Sequence, residues 1–357
     1  MPGRQSDRHA TLGTARPPGQ GPPGQRPGSG RTRGRIPITV AEAGEFGLIE
    51  KIAAVLPSGP AQLVGIGDDA AVLRAPDGRV VASTDLLVEG RHFRRDWTTA
   101  YDLGCTAAAR NLADIAAMGA LPTALLVGLA LPGSTAVDWV LDLARGLGEE
   151  AATTGATVAG GDISGADTVM IGVTALGDLA GAAPVTRGGA RPGDQVAVTG
   201  ALGRSAAGLA LLTAGRHDPA GPVAAYRRPR PPYPAGPEAA ALGATAMIDT
   251  SDGLVQDLGH VAAASGVLID IRTAQLPADP EVAAAAAALG HGDGTGWMLT
   301  GGEDHALAAT FPPGLALPAH WAVIGTVAAP AAAAAAGTVL VDGQLPPGPG
   351  GWDHFRG

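Results

Sequence analysis

Gly65-Ile-Gly-Asp-Asp-Ala-Ala-Val-Leu73 places two adjacent acids between a glycine turn and a short apolar run. Neighbouring side chains of an extended chain point to opposite faces, so only one of the two can enter a given site, and Asp69 is the candidate. Capping of the turn by the pair is the competing reading. Working outward, five further segments share the design: Ser83-Thr-Asp85, Asn111-Leu-Ala-Asp114, Gly160-Gly-Asp162, Asp249-Thr-Ser-Asp252 and Gly301-Gly-Glu-Asp304. Each puts an acid where an apolar run meets a small-residue turn, or on the helix that follows. A carboxylate at the mouth of a core is costly unless it holds a cation, so the repetition points to a site for several Mg²⁺ ions.

The runs around these segments read as mixed strands and helices. Helices are expected near Glu45 to Leu56, Ala100 to Met118, Ala136 to Thr154, Ser205 to Leu212, Val255 to Ala264 and Pro280 to Leu289. Strands are expected at Ala70 to Leu73, Val80 to Ser83, Pro122 to Leu131, Thr157 to Ala159, Thr168 to Leu176, Gln195 to Thr199, Val267 to Ile271, His305 to Thr310 and Trp321 to Val327. The proline-rich stretch from Tyr226 to Pro237 reads as an extended crossing or loop, and the Ala331 to Ala336 run as filler. Strand and helix mix without strict alternation, which gives an α+β fold of two similar-sized halves. Residues 1–36 are Gly, Pro, Arg, Gln and Ser with almost no large apolar side chains and are expected to be a disordered tail. Domains then span 40–180 and 185–357.

Composition excludes several classes. A formal net charge of -9 over 357 residues, with arginine dense only in the tail, argues against a nucleic-acid surface. Anionic substrates would have to be met by bound cations. Lys51 is the only lysine, and it sits in the helix-like Phe46-Gly-Leu-Ile-Glu-Lys-Ile-Ala-Ala-Val-Leu56, not beside a glycine-rich loop or on a strand. P-loop and protein-kinase phosphate sites are thereby excluded. The lone cysteine, Cys105, reads as a small buried hydrophobe and rules out a disulfide framework or a Cys-rich zinc site. No apolar run is long enough to span a bilayer and the basic N-terminus lacks a secretory h-region, so a cytoplasmic protein with no membrane partner is expected.

Ser83, Thr84 and Asp85 offer hydroxyl and carboxylate oxygens in a row; an Asx-turn or N-cap is the competing reading. His92 could donate to a substrate phosphate. Asn111 and Asp114 share a helical face, although Arg110 four residues before Asp114 could form an ordinary exposed ion pair. Asp162 follows paired glycines that would let backbone N–H groups approach phosphate, and Arg187 stands at the junction of the halves as a possible phosphate clamp. Asp249-Thr-Ser-Asp-Gly253 repeats the acid and hydroxyl pattern just before a helix N-terminus. Trp352 offers a face for a flat cationic heterocycle, or ordinary packing.

Taken together, Gly44-Glu-Phe46, the six acid segments, His92, Thr186-Arg187 and Gly351-Trp-Asp-His-Phe355 resemble the thiamine-monophosphate kinase family of the PurM-like (aminoimidazole ribonucleotide synthetase) superfamily. The resemblance covers about Glu45 to Phe355. It implies an N-terminal sheet-forming domain that dimerises, a C-terminal α/β domain, and transfer of the γ-phosphoryl of ATP to thiamine monophosphate. By resemblance Asp69, Ser83, Thr84, Asp85, Asp114, Asp162, Asp249 and Asp252 would bind Mg²⁺, and Gly161, Asp162, Arg187 and Ser251 would contact ATP. Asp162, Arg187 and Asp249 would be catalytic, while His92, Glu303 and Trp352 would contact the thiamine phosphate. The tail, Ile163-Ser-Gly-Ala166, and His305 in place of an aromatic residue depart from the family pattern. A sensor that binds the same ligands without turnover, or another PurM-like synthetase, is the alternative.

Overall fold

A computed structural model describes residues 38–66, 70–218, 220–330, 335–346, 348 and 350–352. Asp69, the 1–36 tail and Asp353-His-Phe355 lie outside the described residues, as does most of the Ala331 to Ala336 run. The first half runs α1 (Val40–Ala43), α2 (Glu45–Val55), β1 (Gln62–Val64), β2 (Val72–Leu73), β3 (Val81–Val88), α3 (Ala100–Ala117), β4 (Leu121–Leu131), α4 (Val137–Thr153), β5 (Thr157–Gly165) and β6 (Met170–Asp178). The second runs β7 (Gln195–Thr199), α5 (Arg204–Thr213), α6 (Gly221–Arg227), α7 (Ala235–Leu242), β8 (Ala246–Asp249), α8 (Leu254–Ser265), β9 (Leu268–Ile271), α9 (Pro280–Leu289), α10 (Thr295–Thr300), β10 (Leu307–Phe311), β11 (Ala322–Ala328) and β12 (Val339–Val341). The α+β reading holds. Among the described residues no helix is long and apolar enough to cross a membrane.

In the first half a four-stranded sheet, ordered β3-β6-β4-β5, carries α3 and α4 on one face. Alternation along β3 separates two sets of side chains. Leu87 and the site residues Ser83 and Asp85 turn toward α3, whereas Ala82, Thr84 and Leu86 face away, with Leu86 52% exposed. Helix α3 begins where the Thr99 hydroxyl accepts the Asp102 amide, and it is buried along nearly its whole length. The second half is a six-stranded sheet ordered β12-β9-β11-β7-β10-β8, antiparallel except for the β12–β9 pair.

The two sheets are joined through α3. Its last turn, Ala116 and Ala117, packs in one cluster with Ala235 and Ala239 of α7, Met247 of β8 and Leu307 of β10. Contact with α7 is so close that a Cβ on Gly236 would lie 2.0 Å from the Ala116 carbonyl oxygen, so only glycine fits there. This seam fixes Asp114 of α3 against the C-terminal end of β8, where Asp249 sits.

The proline-rich 226–237 stretch is helical at both ends, contrary to the loop expectation: Tyr226 and Arg227 close α6, and Pro234 caps α7. Proline is tolerated at a helix start because it lacks an N–H that would have no partner there.

Candidate functional site

Side chains from both halves converge beside the α3–β8 seam. From β3, the Ser83 hydroxyl donates to Asp114 Oδ2 at 2.6 Å, and the Asp85 amide donates to Asn111 Oδ1 at 3.0 Å. Asn111 is held in turn by its own donation to the Ala107 carbonyl. Thr84 turns the other way and donates to the Val173 carbonyl on the far face of the sheet. Arg110, 8% exposed, forms an ion pair with Asp85 at 3.5 Å and a second, shorter one with Glu303. The exposed Arg110–Asp114 pair is therefore not what forms. Because α3 is buried, partners from β3 and from the 301–305 segment replace the local one.

From the second half come two loops zipped together. Glu303 and His305 amides donate to the Ser251 and Thr250 carbonyls, and the Thr250 amide donates to the Ala306 carbonyl. A Cβ on Gly302 would lie 2.4 Å from the Ser251 carbonyl oxygen, which explains the glycine. Glu303 and His305 themselves take positive φ, 69° and 52°, a strained backbone of the kind found where a loop must present particular side chains. Asp304 caps α5, accepting from the Ser205 amide at 2.7 Å and from the Gly203 amide. Asp257 accepts from the Asp252 and Gly253 amides at 3.1 and 3.0 Å and so shapes the 249–253 turn.

The cluster is rich in carboxylates and poor in cations. Burial, then the neighbouring Asp249 carboxylate, pushes Asp114 well above the usual carboxylate range. Burial likewise raises Asp257 to about 7 and Asp304 to about 6. His305 is fully enclosed; burial resists its charge, but its Nδ1 lies 3.0 Å from Asp249 Oδ2, and the imidazolium is favoured with a pKa of about 10. Its Nε2 is 3.8 Å from Glu303, beyond hydrogen-bond length, so Asp249 is the partner that counts. Burial also opposes the charge on Glu303, but with 43% of the side chain open to the cleft that opposition is weak. Arg110 and His305 hold it below the ordinary range.

These residues fit Mg²⁺. Among the described residues no three His, Cys, Asp or Glu side chains form a preformed cage. Mg²⁺ is ordinarily held by one or two carboxylates together with substrate phosphates and water, and a half-buried Asp114 facing Asp249 and Asp85 with a hydroxyl alongside meets that need.

A cleft of ≈ 450 Å³, including its open mouth, leads away from Arg110 and Glu303 and is lined also by His92, Thr98, Tyr226 and Arg227. The His92 Nδ1 accepts the Val88 amide at 3.0 Å, so Nε2 carries the ring proton. Tyr226, Arg227 and His305 had no site role in the sequence reading; the acids beside His305 were its only signal.

Other candidates stand apart. Asp162 lies on β5, in a cross-strand row with Gly128, Gly172 and Leu86. Three strand spacings put it about 14 Å from β3. It shares the outward face of Leu86, and the Ser164 hydroxyl lies 3.4 Å from its carboxylate. Arg187 is exposed and forms no ion pair among the described residues. Its neighbour Thr186 pairs with Met247, before the Asp249 end of β8. Trp352 is 55% exposed and joined to the 249–253 turn by its amide, which donates to the Asp252 carbonyl at 3.0 Å; it does not line the cleft.

Comparison with known proteins identifies the family. A family model described as AIR synthase related protein, N-terminal domain, matches residues 67–179. A thiamine-monophosphate kinase of Mycobacterium tuberculosis is 48% identical over 318 residues, covering 89% of this chain and 93% of that protein. The crystal structure of thiamine-monophosphate kinase from Stenotrophomonas maltophilia K279a matches with a TM-score of 0.72 at 32% identity, over 84% of this chain and 96% of its own. The structure of AaThiL complexed with AMPPCP and TMP matches with a TM-score of 0.72 at 33% identity, over 90% of this chain and 100% of its own. By its identity to these proteins over most of its length, the chain belongs to the thiamine-monophosphate kinase family.

Proposed function

We propose that the chain phosphorylates thiamine monophosphate to thiamine diphosphate by direct in-line transfer from ATP. The bond between the γ-phosphorus and its bridging oxygen breaks to release ADP, and an oxygen of the acceptor phosphate takes its place. The observation that carries this reading is the meeting of Asp85 and Asp114 from one half with Asp249 and Glu303 from the other in one cluster around Arg110 and His305. A phosphate monoester has a second pKa of about 6, so the acceptor is largely ionised at neutral pH and no general base is required. Relief of repulsion between two anions is required instead. Bound Mg²⁺ would neutralise the phosphate oxygens and align them.

Asp85, Asp114, Asp249 and Asp252, with Ser83, are the residues that would hold the ions, and Asp69 is the candidate from outside the described set. Ser251 at the turn before α8, together with Arg187, would receive nucleotide phosphate. Glu303 would face the cationic ring of the acceptor, His92 Nε2–H would donate to its phosphate, and Trp352 would close the site from the 249–253 side.

Asp162, Gly161 and Thr84 enter this site most simply through a dimer. The outward face of the first sheet exposes Leu86 and, at 37%, Leu126, around the side-chain-free Gly128 and Gly172. Such an apolar sheet face suits a second copy of the chain. With a two-fold axis along the strands, pairing two sheets by these faces would bring the β5 edge of one copy over the β3 edge of the other, and with it an Asp162 toward Thr84 at the rim of the site. The cytoplasm is where the reading places the reaction.

Incubation with ATP, Mg²⁺ and thiamine monophosphate should yield thiamine diphosphate and ADP in equal amounts. ADP without thiamine diphosphate, or tight binding of both ligands without turnover, would replace this reading with hydrolysis or sensing.

A further inference from the structure

We propose that Tyr226 is a specificity-determining residue for the acceptor: its ring forms the wall on which the cationic heteroaromatic ring packs, opposite the Glu303 carboxylate. The inference rests on the functional reading above and adds to it a residue from α6, an element to which the family pattern gave no role. Tyr226 lines the same cleft as Arg110, His92 and Glu303, so a ring bound there meets an aromatic side chain and an acid together. That pairing suits a flat cation. The ring's π face attracts positive charge, and the carboxylate supplies a counter-ion from another direction.

The position of Tyr226 is fixed from three sides. Trp97 meets it edge-on, with ring centroids 6.4 Å apart and planes at 69°. The next residue is tied to the first half twice, because Arg227 Nε donates to the Trp97 carbonyl at 2.6 Å and the Arg227 carbonyl accepts from Thr106 of α3 at 2.7 Å. On the other side, α5 approaches so closely that a Cβ on Gly208 would lie 2.7 Å from Tyr226 Cβ. A side chain held this firmly gives up little freedom when a ligand arrives, so its contact is available for selection. The phenol hydroxyl forms no hydrogen bond among the described residues. The ring is therefore the part the proposal needs.

The test compares Tyr226→Leu, Tyr226→Met and Tyr226→Phe with the unaltered chain. Calorimetric binding of thiamine monophosphate is measured without nucleotide, and KM is measured separately for each substrate. Loss of the ring in the Leu and Met variants should weaken acceptor binding and raise its KM about tenfold, with kcat and the KM for ATP nearly unchanged. The Phe variant should stay within about twofold of the unaltered chain. A thiazole phosphate whose ring carries no charge, 4-methyl-5-(2-phosphoethyl)thiazole, should lose less affinity than thiamine monophosphate on going to Leu. Two ring-less variants are used so that one folded by thermal melting suffices. Unchanged acceptor binding in a folded ring-less variant overturns the inference, as does a Phe variant as weak as Leu. An unaltered chain that makes no thiamine diphosphate overturns the functional reading itself, a result separable from the other two.

Discussion

Two inactive variants should rescue each other. Asp114 sits on the α3 side of the first sheet, bonded to Ser83, while Asp162 lies three strands from β3 and turns outward with Leu86. With strands about 4.8 Å apart, the two carboxylates of one chain are separated by roughly 14 Å in strand spacing alone and by the thickness of the sheet besides. No single ion bridges such a gap. If both are needed at one site, they come from different copies. Asp114→Asn and Asp162→Asn should each lower turnover by at least about a hundredfold, as removal of a metal-site group does. In a hybrid dimer of the two variants, one site carries both substitutions and the other carries neither, so about half the activity of the unaltered dimer should return. Co-expression with two different tags, tandem purification of the hybrid and an assay for thiamine diphosphate provide the measurement. A hybrid as inactive as its parents would show that each site draws all its acids from one chain, and a protein that stays monomeric at assay concentration would refute the shared site outright.

Substituting the outward face tests the dimer separately: Leu126→Asp should yield a folded monomer by light scattering, with activity lost, and an unchanged dimer would move the interface elsewhere. Asp257 and Asp304 have folded pKa values of about 7 and about 6, above the ordinary 3.8, so the folded chain binds these protons more tightly than the unfolded one. Metal-free protein should then lose stability as pH rises from about 4 to about 7, by up to about 4 kcal/mol for Asp257, and Asp257→Asn should flatten the melting profile in EDTA. Added Mg²⁺ should raise the melting temperature most at the upper end of that window, and a profile in EDTA that climbs through it would contradict the assignment. Cys105 is 3% exposed and burial pushes its thiol up to about 11, so native protein should leave a disulfide reagent unreacted at pH 8 and release one equivalent on unfolding. Gly236→Ala forces a methyl group into the Ala116 carbonyl and should cost about 1–3 kcal/mol by chemical denaturation, with a fall in activity as Asp114 moves from Asp249.

What could be read in the residues divides along a physical line. Long periodic segments announced themselves: Ala100 to Met118 became α3, ending one residue earlier, and Gln195 to Thr199 became β7 unchanged. Three-residue strands such as β1 and β12 carry too short a pattern to register. Strand β5, expected over Thr157 to Ala159, runs on through the poor strand formers Gly160 and Gly161 to Gly165, because β4 partners each residue from Gly160 onward after a register shift that skips Ala159. The same contrast governs the site. An acid at the end of an apolar run, or on the helix that follows one, is a local feature, so Asp85, Asp114 and Asp249 could be picked out as candidates. The local alternative for Arg110, a pair with Asp114, does not form, since its partners Asp85 and Glu303 are brought in by β3 and by a loop almost two hundred positions away. Tyr226 was hidden for a related reason: nothing in Ala225-Tyr-Arg227 distinguishes a cleft wall from packing until Trp97 and Thr106 tie that turn to the first half. Acids declare the chemistry, because a charge near a core needs a local excuse. Aromatic and guanidinium groups acquire their roles only from the seam between halves, which is set by the Ala116–Gly236 contact and not by any motif.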